Sequence, residues 1–89
     1  MKDHELFARV DRVLWEDWDP IGVRALGGPE DEYSGYVGSI LALLRSGATE
    51  AELSGRLAII RCQSMGLPRN DAHDRRAARI LATILGGPR

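Results

Sequence analysis

This 89-residue sequence contains a single cysteine, Cys62, so no disulfide bond can form within the chain. Low cysteine content is typical of a reducing compartment. Long apolar runs are also missing, since the longest, Ile40 to Leu44, is far too short to cross a bilayer. The first residues, Met1 to Glu5, lack the apolar stretch of a secretory signal. We therefore expect a cytoplasmic protein that has no membrane association.

Residues grouped for catalysis or metal binding are scarce as well. His4 and His73 are the only imidazoles, and neither forms a spaced ligand motif with Cys62. The sequence has no glycine-rich phosphate loop and no activated nucleophile. His73 falls on the apolar side of a predicted helix, where we expect a packed, hydrogen-bonded histidine. We expect no enzyme, no cofactor and no metal site.

Helical periodicity dominates the pattern of apolar residues, and no segment shows sustained strand alternation. The pattern predicts an all-α fold, a compact bundle of four helices that forms one domain over residues 1–89. The helices span about residues 3–18, 30–46, 50–65 and 71–85, and a long loop covers 19–29. We expect Ile21, Val23 and Leu26 to pin this loop to the core.

Local signals define the ends of several predicted helices. Thr49 followed by Glu52 predicts a capping box at the start of the third helix. Gly47 and Gly66 suit the left-handed position that follows a helix. The third helix also carries apolar residues away from its main face, among them Ile59, so we expect it to be sandwiched between other helices.

The block from Trp15 to Asp19 places two of the five aromatic residues among three acids. At 100° per residue, Trp18 joins the apolar stripe of the first helix, whereas Trp15 falls on the opposite face. Trp15 is therefore either covered by the loop or available as an interface anchor, a role that suits tryptophan. If the loop covers Trp15, we expect the carboxylate of Asp17 or Asp19 to accept backbone amides in a tight turn.

Acids are concentrated in the first half of the chain. Residues 1–45 hold nine acids against five bases, whereas residues 46–89 hold four acids against seven bases. Either the two halves pair their charges in the fold, or the asymmetry orients a partner. Glu16, Asp19, Asp31 and Glu32 are predicted to form an acidic rim beside Trp15. This rim favours a basic protein as the partner. Binding of a divalent metal ion and a small hydrolase built on these carboxylates are less favoured hypotheses.

Two further features allow other contacts. Arg75, Arg76 and Arg79 share the outer face of the fourth helix and suit phosphate binding, which makes a nucleic-acid-binding protein the alternative function. Gly35, Gly38 and Ala42 lie opposite the apolar stripe of the second helix. Because each glycine costs about 1 kcal/mol relative to alanine inside a helix, they indicate close approach of another backbone, within the chain or in a homo-oligomer.

A spaced pattern over roughly residues 13–67 resembles a group of small bacterial helical proteins of uncharacterised function. It consists of Trp18-Asp19-Pro20-Ile21-Gly22-Val23, Asp31-Glu32-Tyr33 followed by Tyr36, Leu43-Leu44-Arg45-Ser46-Gly47, and Met65-Gly66-Leu67. The comparable pattern often has Asp where Ser34 stands. The resemblance implies a short all-α fold in a bacterial cytoplasm and no established activity. Some such proteins look similar in size and character to immunity proteins that neutralise toxins.

These observations lead to one main hypothesis. The chain is expected to be a non-enzymatic protein-binding module, of the immunity or antitoxin type, that binds another protein. Trp15 would be the anchor, and Glu16, Asp19, Asp31 and Glu32 would supply the charged rim.

Overall fold

Four α-helices build the fold in this computed structural model, which describes residues 3–22, 25–28 and 32–86. They are α1 (Asp3–Val13), α2 (Val37–Arg45), α3 (Glu50–Ile59) and α4 (Asp71–Gly86). The described ranges contain no β-strand, so the all-α class and the number of helices are confirmed. Within the same ranges, no helix is both long and apolar enough to cross a membrane.

Two of the helices end in a π-helical turn, which the periodicity did not predict. α1 continues as Leu14–Trp18, and the Asp19 N–H donates to the Leu14 carbonyl at 2.9 Å. α3 continues as Ile60–Ser64, and the Met65 N–H donates to the Ile60 carbonyl at 3.0 Å. Each turn holds one residue more than an α-helical turn, which changes the direction of the side chains that follow.

The second helix begins later than predicted. A 3₁₀ turn at Ser34–Tyr36 leads into α2, and Tyr33 just before it has a non-helical backbone with φ −102° and ψ 3°. The predicted start at residue 30 lies outside the described residues. The reason for the delay is that the Tyr33 side chain is buried and bonded to the loop after α1, which fixes its backbone before the helix starts.

The predicted helix ends are confirmed where turn chemistry was specific. Thr49 Oγ1 accepts the Glu52 N–H at 3.1 Å, and Glu52 Oε1 accepts the Thr49 N–H at 3.0 Å, which completes the capping box. Gly47 has φ 81°, and Ala48 donates to the Leu43 carbonyl, as a Schellman motif requires. Gly66 also has positive φ, at 67°. Sequence therefore fixes these boundaries through local hydrogen bonds.

One hydrophobic core joins all four helices. α3 packs against α4, while α1 packs against both α2 and α4. The buried apolar side chains are Leu6, Val10, Val13, Leu14, Trp18, Tyr33, Val37, Ile40, Leu41, Leu44, Leu53, Leu57, Ile60, Ala77, Ala78 and Leu81. Trp18 and Tyr33 are the largest fully buried side chains, so the prediction that Trp18 belongs to the core is confirmed.

Two expectations about packing need correction. The third helix contacts both α2 and α4, but its second apolar side is not fully covered, because Ile59 is 43% exposed. The loop after α1 is not pinned by its apolar residues either, since Ile21 is 43% exposed and Leu26 81% exposed. Val23 lies outside the described residues. The apolar stripes of four helices already fill the core, so these side chains remain at the surface.

The two glycines near the start of the second helix have no close neighbour. A Cβ added to Gly35 or Gly38 would meet no atom within 4 Å among the described residues, and both glycines and Ala42 are exposed. One expected cause was that another backbone segment of this chain packs against the two glycines. For the described residues this expectation is wrong. The contact with a second copy stays a prediction.

Replacing Thr49 with alanine should lower the free energy of unfolding by about 1 kcal/mol, because the variant loses the N-cap acceptor for the Glu52 amide. Urea unfolding followed by circular dichroism measures the change. Thr83→Ala is the matched control, since the Thr83 hydroxyl only bonds back to the Ile80 carbonyl within α4. Equal losses in both variants would contradict a specific role for the cap.

Candidate partner-binding site

A buried carboxylate, that of Asp74, connects the ends of three elements. Its Oδ1 accepts the indole N–H of Trp18 at 2.8 Å. The same oxygen accepts Nε and Nη2 of Arg61 at 3.0 and 2.7 Å. Arg61 is only 5% exposed and Asp74 is fully buried, so this ion pair lies inside the protein. Trp18 and Arg61 both come from the π-helical turns, and Asp74 comes from the first turn of α4.

The backbone of Trp18 is held from the same side. The Trp18 carbonyl oxygen can only accept, so the half-buried His73 donates to it from Nε2. Asn70 caps α4 by accepting the His73 N–H at 3.2 Å. The prediction of a packed, hydrogen-bonded His73 is confirmed. The start of α4 therefore fixes both the indole and the carbonyl of Trp18.

Sequence reasoning missed Asp74 and Arg61, although a signal was present. Asp74 precedes Ala77, Ala78 and Leu81 at helical spacing on the buried stripe of α4. Arg61 follows the buried Leu57 by four positions. A carboxylate and a guanidinium on the buried stripes of two adjacent helices point to a buried ion pair, because neither charge is stable alone in a core.

Tyr33 gathers the aromatic and acidic residues of the first half into one place. Its ring centroid lies 5.8 Å from that of Trp18 and 6.3 Å from that of Trp15, with both pairs tilted. The Tyr33 hydroxyl donates to Asp19 Oδ1 and accepts the Ile21 N–H at 3.3 Å. We call Trp15, Trp18, Asp19, Ile21 and Tyr33 the Tyr33 cluster.

The environment of Tyr33 favours the neutral phenol. Burial raises its pKa well above the ordinary value of 10.0, and the hydrogen bond to Asp19 raises it further. The hydrogen bond from the Ile21 amide acts in the opposite direction, while the charges of Asp19 and Glu32 add to the increase. The phenol therefore keeps its proton and its bond to Asp19 in the folded protein.

Asp19 ends the first helix in a left-handed backbone conformation, with φ 32° and ψ 61°. Aspartate tolerates this region better than most residues. The conformation turns the chain sharply, and the Gly22 N–H then donates to the Asp19 carbonyl at 3.1 Å. The Asp19 carboxylate accepts the Tyr33 phenol, whereas the turn itself is closed by the Asp19 backbone carbonyl. The expectation that a carboxylate of Asp17 or Asp19 accepts backbone amides in this turn stays a prediction.

The structure brings most of the predicted site residues to this region. Trp15 and Asp19 are half-buried, whereas Glu16 and Glu32 are exposed; Asp31 lies outside the described residues. Trp15 is partly covered, which is one of the two expected alternatives, but the ring beside it is that of Tyr33 and not a residue of the loop directly after the first helix.

The second half of the chain forms ion pairs within itself. They join Arg61 to Asp74, Arg69 to Asp71 and Arg79 to Glu50. Pairing of charges between the two halves stays a prediction. Glu16 and Glu32 are exposed and place negative charge on the surface of the first half, where they raise the local concentration of basic groups.

The arginine face of α4 is exposed, as the alternative function requires. Arg75, Arg76 and Arg79 all reach solvent. However, Arg79 Nε donates to Glu50 Oε1 at 3.1 Å, and Arg75 lines a shallow recess with Glu50 and Asp71. These carboxylates lower the positive potential that a phosphate backbone would meet. Nucleic-acid binding stays a prediction.

No grouping of three His, Cys, Asp or Glu side chains suited to a metal ion occurs in residues 3–22, 25–28 and 32–86. His4 is exposed and Cys62 is half-buried and forms no disulfide bond. Cys62 and His73 are not joined by any hydrogen bond between described atoms. We assign no cofactor-holding residue.

Breaking the buried ion pair from one side should be costly. Asp74→Leu leaves the Arg61 guanidinium buried without its partner, so we expect a loss of about 3–5 kcal/mol in the free energy of unfolding. The double variant Asp74→Leu/Arg61→Met should lose less than Asp74→Leu alone, because no unpaired charge remains. Urea unfolding measures both, and Asp71→Ala, an exposed acid in the same turn, is the control. A double variant less stable than Asp74→Leu would contradict this account.

The raised pKa of Tyr33 makes stability depend on alkaline pH. In the unfolded chain the phenol loses its proton near pH 10, whereas the folded protein retains it to higher pH. The stabilisation is therefore complete below pH 10 and declines as pH rises above it. Tyr33→Phe should remove this part of the decline, and Tyr36→Phe should keep it. Urea unfolding at several alkaline pH values checks the result; identical profiles for the three proteins would contradict it.

Comparison with models of protein families, with curated proteins and with solved structures finds no match for this chain. The resemblance to small bacterial helical proteins therefore stays a prediction from the motif.

Proposed function

We propose that this chain is a small, non-enzymatic protein-binding module whose partner carries basic residues. The observation that carries the proposal is the surface around the Tyr33 cluster. There Tyr33 holds Trp15, Asp19 and Ile21 together, and the exposed acids Glu16 and Glu32 lie beside them in the chain. A partly apolar patch with an acidic rim is the arrangement expected of a site for a basic protein.

Exposed apolar side chains support this role. Ile21 is 43% exposed although its backbone is fixed by the Tyr33 hydroxyl. Leu26, which follows in the same loop, is 81% exposed. A residue whose backbone is already held by a hydrogen bond loses less conformational entropy on binding than one in an unconstrained segment. Ile21 is the better anchor for this reason, and Trp15 contributes the part of its ring that Tyr33 leaves open.

The chemistry of the surface selects among partners. Carboxylates at Glu16 and Glu32 repel nucleic acid and attract lysine- or arginine-rich protein surfaces. The resemblance in size and character to immunity proteins favours a basic toxin as the partner, and a bacterial cytoplasm as the setting. Binding would then act by covering the partner rather than by changing it chemically.

A capture experiment tests the proposal. The tagged protein is incubated with lysate of its native host, with and without nuclease treatment, and the captured partner is identified, purified and titrated. We expect Ile21→Ser and Glu32→Lys each to raise the dissociation constant about tenfold or more, since loss of an anchor costs at least about 1.4 kcal/mol. Ile59→Ser is the matched control, because Ile59 has the same 43% exposure but lies on α3.

The outcomes separate the alternatives. Equal affinity of Ile21→Ser, Glu32→Lys and wild type would overturn the assignment of the surface. Loss of capture after nuclease treatment would overturn the protein partner in favour of nucleic acid. High salt should weaken the wild-type complex, because the rim charges act through solvent.

A further inference from the structure

The turn after the first helix contains a backbone conformation that needs support. Within the parts of the chain that the structure describes, Asp19 is the one residue other than glycine with positive φ, at 32°. A residue that carries a Cβ is strained in this region, although aspartate tolerates it better than most. Such a conformation persists only where the surrounding contacts fix it, and it often marks a functional site. Here it lies between the buried Trp18 and the exposed Ile21 of the proposed partner surface.

The peptide unit between Trp18 and Asp19 is held at both of its ends. Its N–H, from Asp19, donates to the Leu14 carbonyl at 2.9 Å. Its carbonyl oxygen, from Trp18, accepts Nε2 of His73. Because a peptide unit is planar, two bonds at opposite ends restrain the orientation of the whole plane. Rotation of this plane would let Asp19 leave the left-handed region, so the two bonds oppose that change.

The two bonds restrain the plane in different ways. The bond to Leu14 lies within the π-helical turn itself, so it moves together with that turn. His73 belongs to α4, and its bond therefore holds the plane relative to the rest of the protein. The neighbouring Asp74 accepts the Trp18 indole N–H at 2.8 Å. Consecutive residues of α4 thus hold Trp18 by its backbone and by its side chain.

The residues that follow depend on the direction of this plane. The Asp19 carbonyl accepts the Gly22 N–H at 3.1 Å, which closes the turn. The Asp19 carboxylate accepts the Tyr33 phenol, and the Ile21 N–H donates to the same hydroxyl at 3.3 Å. Both contacts to Tyr33 require the chain to turn at Asp19. Loosening the plane should therefore weaken the position of Ile21, three residues further along the chain.

We infer that His73 is a positioning residue for the proposed partner surface. By holding the Trp18 carbonyl it keeps Asp19 in the left-handed conformation, which in turn places Ile21 for binding. The inference rests on the proposed function, because it concerns the same surface. Its consequence is that a half-buried side chain of α4 controls the affinity of a surface formed by the first half of the chain.

Amide hydrogen exchange in the free protein tests this role without a partner. His73→Leu removes the donor, so we expect protection of the Ile21 and Gly22 amides to fall about three- to tenfold more than that of the core amide of Val10, as for one lost hydrogen bond. His73→Gln should restore most of this protection, since its side-chain amide also donates. Thr49→Ala is the control, because it loses stability through the cap of α3 and should leave the difference between these amides unchanged.

Affinity for the captured partner is the second measurement. His73→Leu should raise the dissociation constant about three- to tenfold, whereas His73→Gln should bind nearly as wild type does. Unchanged exchange of the Ile21 amide in His73→Leu, or equal losses in both variants, would overturn the inference. If Ile21→Ser weakens binding and His73→Leu does not, the inference is wrong and the proposed function stands. If Ile21→Ser has no effect either, the proposed surface is wrong and the inference falls with it.

Discussion

The arrangement of the chain depends on the ion pair and the hydrogen bonds that the buried carboxylate of Asp74 forms. A charge in a core is stable only when paired and hydrogen-bonded. Asp74 Oδ1 is paired with Arg61 and accepts the Trp18 indole N–H, whereas the buried Oδ2 has no hydrogen-bond partner among the described residues. Because these residues come from three elements, the pair fixes the ends of the first and third helices against the start of α4. His73 adds a bond to the Trp18 carbonyl, so the chain leaves the core at a defined point.

The surface proposed for partner binding follows from that fixed point. Once Trp18 is held, Asp19 turns the chain in a left-handed conformation, and its carboxylate accepts the Tyr33 phenol. Tyr33 in turn supports Trp15 and the amide of Ile21. A buried network thus determines where exposed acids and apolar side chains lie.

Much of the fold was predictable because its signals are local. The capping box at Thr49 and the left-handed Gly47 were identified correctly, since each is satisfied by hydrogen bonds within a few residues. The candidate site was predicted less fully. Trp18 was correctly placed in the core, and cover over Trp15 was one of two expected alternatives. Tyr33 was not identified as the covering residue, because it is distant in sequence and meets Trp15 only in the folded chain.

The sequence by itself determined the helical class, the helix ends that carry a capping box or a left-handed glycine, and the separation of acidic from basic halves. These depend on periodicity and composition, which neighbouring residues define. Only the tertiary structure decided that Asp74 and Arg61 are partners, and that Tyr33 joins Asp19 to Ile21. The physical reason is distance along the chain: a buried charge or phenol needs a complementary group, and only packing decides which distant residue supplies it.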